Sequence, residues 1–239
     1  DFIVEVGPGE GAMTKEIVDS LNFKGGVMGG SGKTQLILIE ADQDLIPGLE
    51  SRFKNAKIIQ ADAAKVDYTK LVPKNKSWML IGNLPYNAGN AIIMNALASE
   101  RPPLRLVVMV QKEVADRMLA KPGDMSLLSV AIQIYTKPKR LFNVGTGAFV
   151  PPPKVDSTVI ELNLLDSVNR GEAEAVLKIA KAGFANRRKQ LHGNLSSAKI
   201  ASSERVKAVL LKIGLSESAR AQELSVEEWK QVAEFIKKI

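Results

Sequence analysis

The segment Ile81–Asn87, with the sequence Ile-Gly-Asn-Leu-Pro-Tyr-Asn, combines residue types whose spacing suits chemistry on a bound ligand. It follows a short apolar run that is typical of a buried strand. Its glycine and its proline end that strand, so Asn83 and Tyr86 are predicted on the loop beyond the strand's carboxyl end. Open α/β sheets bind their ligands at that edge, so the segment is a candidate site.

The chemistry that this segment suits is transfer to an amino group conjugated to a ring, such as N6 of adenine. Such a nitrogen is a poor nucleophile because its lone pair is delocalised into the ring. The Asn83 side-chain oxygen and the Leu84 carbonyl could accept its two hydrogens and localise the lone pair. Pro85 shapes the turn, and Tyr86 could stack on the base. The alternative is an ordinary strand end followed by a turn and a half-buried tyrosine.

A glycine-rich turn follows the first predicted strand and leads into the first predicted helix. It contains Gly7 and Gly9, and glycines at such a turn let a ligand approach the backbone beside a helix N-terminus. Glu5, at the end of the strand, would repel a pyrophosphate but suits a ligand that carries an ammonium group. S-adenosylmethionine carries that group and no phosphate, so the turn and Glu5 together favour this cofactor.

Two further acidic residues, Glu40 and Asp62, end the next two predicted strands. Glu40 is the candidate for the cofactor's ribose hydroxyls, because an acid in this place binds ribose in related sheets. Asp62 could accept a hydrogen bond from the cofactor's adenine amino group, or it could be the first residue of a loop and cap a helix. Acids at the ends of three successive strands are less expected by chance than any one of them alone.

A second glycine-rich stretch, Gly29–Thr34, is similar to a phosphate-binding loop but departs from the pattern. The position five residues before Gly32 is Val27 where the motif requires glycine, and no strand precedes the stretch. We therefore predict a flexible surface hairpin over residues 22–35 and no nucleoside triphosphate site.

A loop with three consecutive prolines begins at Phe149 and joins the last two predicted strands. The prolines stiffen the loop because each fixes its own φ angle. Phe149 could clamp a flipped base from the face opposite Tyr86. The alternative is that Phe149 only packs within a hairpin.

The net charge of +7 is concentrated near the carboxyl terminus. Residues 170–239 contain 14 Lys and Arg and 8 Glu, a net charge of +6, which leaves +1 for the first 169 residues. Arg187, Arg188 and Lys189 form a basic triplet that we predict on a helix over residues 187–197. The charge favours a polyanionic partner such as RNA, and the alternative is a solvated basic surface.

Composition excludes several other kinds of site. The chain has no Cys and a single His, His192, so neither a disulfide framework nor a transition-metal site is expected. No apolar run is long enough to suggest a membrane-spanning helix, and we expect a cytoplasmic protein. Because the sequence opens within a strand and without Met, we predict that further amino-terminal residues precede it.

Hydrophobic periodicity predicts an alternating α/β region followed by helices alone. The predicted strands cover residues 2–6, 35–40, 56–62, 78–81, 104–111, 139–145 and 156–165. Helices are predicted between them at 12–21, 41–53, 88–99, 112–120 and 125–135. After the last strand the predicted helices are 172–185, 187–197, 203–213 and 225–238.

Seven segments in the same order closely resemble the ribosomal RNA adenine dimethyltransferase family of the KsgA type. They are residues 5–11, 39–42, 60–63, 82–87, 110–117, 149–157 and 184–191. The proline loop and the segment with the basic triplet are the most specific of them. The chain differs from the family in lacking a Gln-x-Phe-Leu segment before the first strand and in continuing Asn-Ala-Gly after Tyr86.

The resemblance implies a Rossmann-like methyltransferase domain at 1–168 and a small basic helical domain at 169–239 that binds RNA. It implies S-adenosylmethionine as the methyl donor and dimethylation of adjacent adenosines near the 3′ end of small-subunit rRNA, with a role in ribosome assembly. It also implies a role in binding cofactor or target base for the residues that match family motifs, namely Gly7, Gly9, Glu40, Asp62, Asn83, Leu84, Tyr86 and Phe149.

Two rival functions are open at this point. A related antibiotic-resistance methyltransferase that acts on large-subunit rRNA shares the central motif, although the proline loop and the carboxyl-terminal segment fit it less well. A non-catalytic ribosome-assembly or transcription factor shares the fold, but intact Asn83, Pro85 and Tyr86 favour retained catalysis. We expect a monomer that binds rRNA.

Overall fold

The computed structural model describes residues 1–23 and 34–237. The hairpin predicted for residues 22–35 lies mainly outside the described residues, since the first helix extends to Phe23 and the second strand begins at Gln35. Within the described ranges, no helix is both long enough and apolar enough to cross a membrane.

One mixed sheet of seven strands forms the framework of the site. Its strands are β1 (Phe2–Val6), β2 (Gln35–Glu40), β3 (Lys57–Gln60), β4 (Trp78–Asn83), β5 (Arg105–Gln111), β6 (Thr136–Val144) and β7 (Ser157–Leu164). Their order is β3-β2-β1-β4-β5-β7-β6, with β1 to β5 parallel and β7 antiparallel to β5. Each predicted strand is present, and the carboxyl ends of the five parallel strands lie at one edge of the sheet.

The helices follow the predicted order with shorter bounds in several places. They are α1 (Ala12–Phe23), α2 (Ile46–Arg52), α3 (Gly89–Ala98), α4 (Lys112–Met118), α5 (Leu127–Gln133), α6 (Arg170–Gly183), α7 (Leu191–Ser197), α8 (Ser203–Lys212) and α9 (Val226–Lys237). The prediction of a helix from residue 41 is wrong because Asp42 caps a separate 3₁₀ turn at Gln43–Leu45, through a 3.0 Å bond from the Asp44 N–H.

The basic triplet does not lie on a helix, which corrects the prediction of a helix over residues 187–197. Asn186 accepts hydrogen bonds from the Arg188 N–H at its side chain and from the Lys189 N–H at its carbonyl, both at 3.1 Å. Its side chain therefore competes with helical pairing, as Asn commonly does at turns. The Asn194 amide donates to the Asn186 carbonyl at 2.9 Å and holds this turn against α7.

The chain forms two compact units, and the first contains most of the sheet. Its residues are 1–115 and 139–164. One face of the central strands is fully buried, with Val4, Leu80 and Leu106 enclosed, whereas the other face is buried on β2 and partly buried on β4 and β5. Such continuous apolar strands are typical of parallel sheets that have helices on both sides.

The second unit contains residues 116–138 together with 165–239. The sequence prediction divided the chain once, at 168/169, and so placed residues 116–138 with the sheet. In the structure their loop joins the helical unit because the Gly123 and Met125 N–H groups both donate to the carbonyl of Gln222. Trp229 of α9 is fully buried there, and its ring lies 5.7 Å from that of Phe184.

Candidate active site

The glycine turn after β1 adopts a backbone that only glycine accommodates without strain. Gly7 and Gly9 have φ angles of +67° and +58°, in the left-handed region. The Gly7 N–H donates to the Ile39 carbonyl at 2.9 Å, which ties the turn to β2. A Cβ on Gly7 would lie 3.7 Å from the Asn83 backbone oxygen. The turn therefore lies directly beside the end of β4.

Glu40 ends β2 and holds the glycine turn in place through its side chain. Its Oε2 accepts a hydrogen bond from the Gly9 N–H at 3.1 Å. Its Oε1 accepts from the N–H groups of Ala41 at 2.8 Å and Asp42 at 3.0 Å. These bonds explain how a carboxylate that is only 8% exposed is tolerated here. A carboxylate has about four acceptor positions, so one remains for a ligand hydroxyl.

Glu5 of β1 is completely buried, and both of its carboxylate oxygens lack a hydrogen-bond partner among the described residues. Burial raises the pKa of the Glu5 carboxyl from an ordinary value of 4.5 to about 7. The nearby Thr14 hydroxyl offsets part of that rise, although the two groups do not meet the geometry of a hydrogen bond. An unpaired buried carboxyl of this kind is typical of a functional site and costs stability.

Asp62 lies two residues beyond β3, and its side chain is 49% exposed. Its Oδ1 accepts from the Ala64 N–H at 3.0 Å, and Lys65 Nζ lies 3.2 Å from its Oδ2. The hydrogen bond from Ala64 and the proximity of Lys65 hold the pKa of the Asp62 carboxyl below its usual range. Asp62 therefore caps a turn and not a helix, which corrects the alternative drawn from the sequence, and its exposed carboxylate can also accept a hydrogen bond from a ligand N–H.

The end of β4 presents two acceptors without partners. The Leu84 N–H donates to the Met109 carbonyl at 3.2 Å, and the Pro85 carbonyl accepts from Ala88 and Gly89 where α3 begins. Between these fixed points the Asn83 side chain is exposed. Among the described residues, no donor bonds to that side chain or to the Leu84 carbonyl. The loop therefore holds an exposed amide oxygen ready for an incoming N–H donor, while the unpartnered Leu84 carbonyl belongs to a residue that is only 1% exposed.

Tyr86 is held by a contact that sequence reasoning missed. The Tyr86 ring is 41% exposed, and its hydroxyl lies 2.9 Å from the hydroxyl of Ser157. Ser157 is the fully buried first residue of β7 and the last residue of the proline-loop motif. The joint presence of the two motifs was the only available signal for this contact. The hydrogen bond therefore holds a ring that remains partly exposed to solvent.

Phe149 is half-buried and follows a 3₁₀ turn at Thr146–Ala148. The Thr146 N–H donates to Asp156 Oδ1 at 3.2 Å and closes the proline loop at its base. The loop therefore runs from Phe149 to Ser157, beside Tyr86. The ring contacts found among the described residues do not include Phe149 with Tyr86, so the base clamp stays a prediction.

We expect Gly82→Ala to destabilise the fold at this site. A Cβ on Gly82 would lie 2.7 Å from the Val6 carbonyl oxygen and 2.9 Å from a Leu84 methyl group. Because the carbonyl belongs to a paired strand, we expect a loss of about 1–3 kcal/mol in the free energy of unfolding. Gly48→Ala is the control, since nothing lies within 4 Å of that Cβ in α2. Equal urea midpoints for the two variants would contradict the prediction.

The basic triplet is exposed in the second unit. Arg187, Arg188 and Lys189 have no carboxylate partner within ion-pair distance in the part of the chain that the structure describes. Two of their backbone N–H groups are fixed by Asn186, so the turn is ordered while the cationic heads stay in solvent. The geometry is compatible with contacts to phosphate groups.

A family model described as "Ribosomal RNA adenine dimethylase" matches residues 1–238. The chain belongs to this family. A relative from Dehalococcoides mccartyi, named "Ribosomal RNA small subunit methyltransferase A", is 36% identical over 237 residues, which are 97% of this chain and 77% of the relative. The family that the sequence motifs suggested is thereby confirmed.

Two solved structures share the fold of this chain. A dimethyladenosine transferase from Plasmodium falciparum aligns with a TM-score of 0.77 and 23% identity, over 97% of this chain and 88% of its own. The 23S rRNA methyltransferase ErmE aligns with a TM-score of 0.72 and 21% identity, over 99% and 91%. The predicted fold class, a Rossmann-like methyltransferase sheet with a helical carboxyl-terminal region, is confirmed. The protein is an rRNA-modifying methyltransferase.

Proposed function

We propose that this protein transfers methyl groups from S-adenosylmethionine to N6 of adjacent adenosines near the 3′ end of small-subunit rRNA. The observation that carries the proposal is the pair of unpartnered acceptors at Asn83 and Leu84, beside the glycine turn at Gly7. The name of the relative from Dehalococcoides mccartyi supports the small subunit as substrate. We further propose a monomer that acts in the cytoplasm during subunit assembly.

The two acceptors would activate the target by holding its hydrogens. The exocyclic nitrogen of adenine has two N–H groups, and the Asn83 side-chain oxygen and the Leu84 carbonyl each accept one. This arrangement removes the lone pair from conjugation and directs it away from the base plane, so the nitrogen becomes nucleophilic. Catalysis then consists of positioning and polarisation, and the amine can lose its proton to water after attack.

The residues at the carboxyl edge of the sheet fit S-adenosylmethionine, which supplies an electrophilic methyl group when bound. Glu40 retains one acceptor position for a ribose hydroxyl. The exposed carboxylate of Asp62 would accept a hydrogen bond from the amino group of the cofactor's adenine. Glu5 of β1 would supply negative charge for the ammonium group, and a cation beside it would favour its ionised form. Gly7 and Gly9 leave room for the ligand against the backbone.

Tyr86 and Phe149 would hold the target base after it leaves its stack. The hydrogen bond between the Tyr86 and Ser157 hydroxyls orients one ring, and the closed proline loop orients the other. A base extruded from RNA must be stabilised by such stacking, because unstacking costs a few kcal/mol. Exposed loops and helix ends of the RNA are therefore the favoured substrates.

We expect the basic triplet to contribute to RNA affinity through phosphates. Replacement of Arg187, Arg188 and Lys189 by Ala should weaken binding of small ribosomal subunits and lower the slope of log K against log salt by about 2, since each lost phosphate contact removes roughly 0.7–0.9. Filter binding over a range of salt concentrations measures this slope. Lys230→Ala is the control, because the Lys230 ammonium group is already paired with the Glu227 carboxylate at 3.1 Å. An unchanged slope in the triple variant would contradict the RNA-binding role.

The decisive experiment is a methylation assay with the full chain. The protein is incubated with S-adenosylmethionine and unmethylated small ribosomal subunits, and the RNA is digested and analysed by mass spectrometry. We expect N6,N6-dimethyladenosine from small subunits and none from large subunits. Product from large subunits alone would favour the antibiotic-resistance activity. Binding of small subunits without product would favour an assembly factor without catalysis.

A further inference from the structure

The edge strand β6 presents an exposed apolar and basic surface that the proposed site does not use. Leu141 is 39% exposed and Phe142 is 57% exposed. Lys139 and Arg140, the two residues before them, are exposed as well. We call these four residues the β6 surface. Residues two apart on a strand share a face, so Arg140 and Phe142 place a cation and an aromatic ring on the same face, about 7 Å apart.

The charge of this segment differs from that of its surroundings. Residues 139–155 contain Lys139, Arg140 and Lys154 and no Asp or Glu. The first 169 residues as a whole carry a net charge of only +1. Along the chain this segment is therefore cationic, although the neighbouring strand β7 contains Glu161 and Arg140 also donates to Asn143 Oδ1 at 3.3 Å. Its exposed cations can complement a polyanion.

Two side-chain hydrogen bonds, joined through neighbouring residues of β7, link the β6 surface to the loop that follows β4. The Tyr86 hydroxyl lies 2.9 Å from that of Ser157, and the next residue, Thr158, donates its hydroxyl to Asn143 Oδ1 at 2.9 Å. Asn143 directly follows Phe142 on β6. With adjacent strands about 5 Å apart, Phe142 lies within about 15 Å of the Tyr86 hydroxyl. A strand of RNA that presents one nucleotide to Tyr86 would reach Phe142 with a neighbouring nucleotide.

Protection of the sheet edge explains only part of this surface. Basic residues on an edge strand hinder pairing with another chain, and that role would explain Lys139 and Arg140. It does not explain Leu141 and Phe142, because exposed apolar side chains on an edge strand promote association. Aromatic rings among cations are typical of surfaces that bind single-stranded nucleic acid, where bases stack on the rings and cations contact the phosphates.

We propose that the β6 surface binds the single-stranded RNA that flanks the target adenosine. Phe142 stacks on a flanking base, while Arg140, on the same face, contacts the phosphate beside it. Lys139, on the opposite face of the strand, contacts a phosphate farther along the RNA. This inference rests on the proposed function for the identity of the RNA. It assigns to β6 a substrate contact separate from the basic triplet in the second unit, and it makes the first unit a binder of RNA by itself.

The test compares variants of the full chain on two substrates. The first is a short single-stranded RNA with two adjacent adenosines, whose affinity is measured by fluorescence anisotropy. The second is the unmethylated small subunit, for which the KM of methylation is measured. Phe142→Ala opens no cavity because the ring is 57% exposed. We expect it to weaken affinity for the short RNA about five-fold or more, and to raise KM similarly.

Two controls match the variants at the amino ends of the central strands β4 and β5. Leu104→Ala removes an apolar side chain that is 59% exposed, just before β5. Replacement of Lys74 and Lys76 by Ala removes two exposed cations before β4. We expect both controls to bind RNA like the unmodified chain. Replacement of Lys139 and Arg140 by Ala is a further test. It should lower the slope of log K against log salt for the short RNA by about 1.4, since each phosphate contact on a single strand contributes roughly 0.7.

The outcomes separate this inference from the proposed function. RNA affinity that is equal in Phe142→Ala and Leu104→Ala would overturn the inference, even if dimethyladenosine is formed. Weaker binding of small subunits with unchanged affinity for the short RNA would also overturn it, since the partner would then be a ribosomal protein. Selective loss of RNA affinity in a chain that forms no dimethyladenosine would support the β6 surface and reject the proposed function.

Discussion

Asn83→Ala is expected to lower kcat for adenosine dimethylation by about 10²–10³-fold, the usual loss when one preorganised polar group that stabilises a transition state is removed. The variant retains the Leu84 carbonyl but loses the second acceptor, so the lone pair of the target nitrogen stays partly conjugated with the ring. The measurement is a single-turnover assay with unmethylated small subunits and saturating cofactor, which isolates the methyl-transfer step from product release.

The same variant should fold normally, which makes the loss specific to chemistry. The Asn83 side chain is exposed and forms no hydrogen bond with any described residue, so its removal leaves no buried group unpaired. Asn87→Ala is the matched control, because Asn87 is an exposed amide in the same loop. We expect the control to retain activity within a few-fold. An Asn83→Ala variant as active as the Asn87→Ala control would rule out the proposed polarisation of the amine.

Glu5→Gln is expected to stabilise the protein at alkaline pH. In the folded state the pKa of Glu5 is raised to about 7, so the native state binds the proton more tightly than the unfolded state does. Wild-type stability is therefore full below pH 4.5, falls as the pH rises, and is lowest above pH 7. The shift corresponds to about 3 kcal/mol. The variant lacks this titration, so its unfolding free energy should exceed that of the wild type by up to about this amount at pH 8.

The same replacement should weaken cofactor binding. An ammonium group favours the ionised form of Glu5, so wild-type affinity for S-adenosylmethionine should rise as the pH increases towards 7.5, and the variant should lack this rise. Cofactor affinity is measured by calorimetry below pH 7.5, because the α-amino group of the cofactor would itself titrate near pH 7.7–8.0. Gain of stability with loss of affinity is typical of functional residues.

Glu16→Gln provides the control for both measurements, because Glu16 is an exposed carboxylate on α1. Its replacement should change neither the pH dependence of urea unfolding nor that of cofactor affinity. If Glu5→Gln is stabilising but binds cofactor with the wild-type pH dependence, Glu5 affects the fold alone and its assignment to the cofactor site is wrong.

Local chemistry made the sheet and the ends of its strands predictable. Apolar runs that end in glycine or an acid specify parallel strands and the loops beyond them, because side chains buried on both faces must be apolar. The positions of Glu5, Glu40 and Asn83 follow from this rule, since the carboxyl ends of parallel strands meet at one edge. Gly7 and Gly9 were predictable for a similar reason, as a positive φ angle favours glycine.

Tertiary structure decided how these residues are held. The hydrogen bond from Gly9 to Glu40 joins residues 31 positions apart, and that between Tyr86 and Ser157 joins residues 71 apart. No periodicity within a single element encodes such pairs. The burial of Glu5 is likewise not encoded within one element. It depends on residues that surround the carboxyl in the folded chain, and this burial raises its pKa.

The sequence by itself determined the family, the order of strands and helices, and the types of residue at the carboxyl edge of the sheet. Only the tertiary structure decided that residues 116–138 group with the helical unit, that the basic triplet lies on a turn, and that β6 exposes Phe142. The physical reason is that strand and helix patterns depend on neighbours along the chain. Domain grouping, turn capping and exposure depend on contacts between residues far apart in sequence.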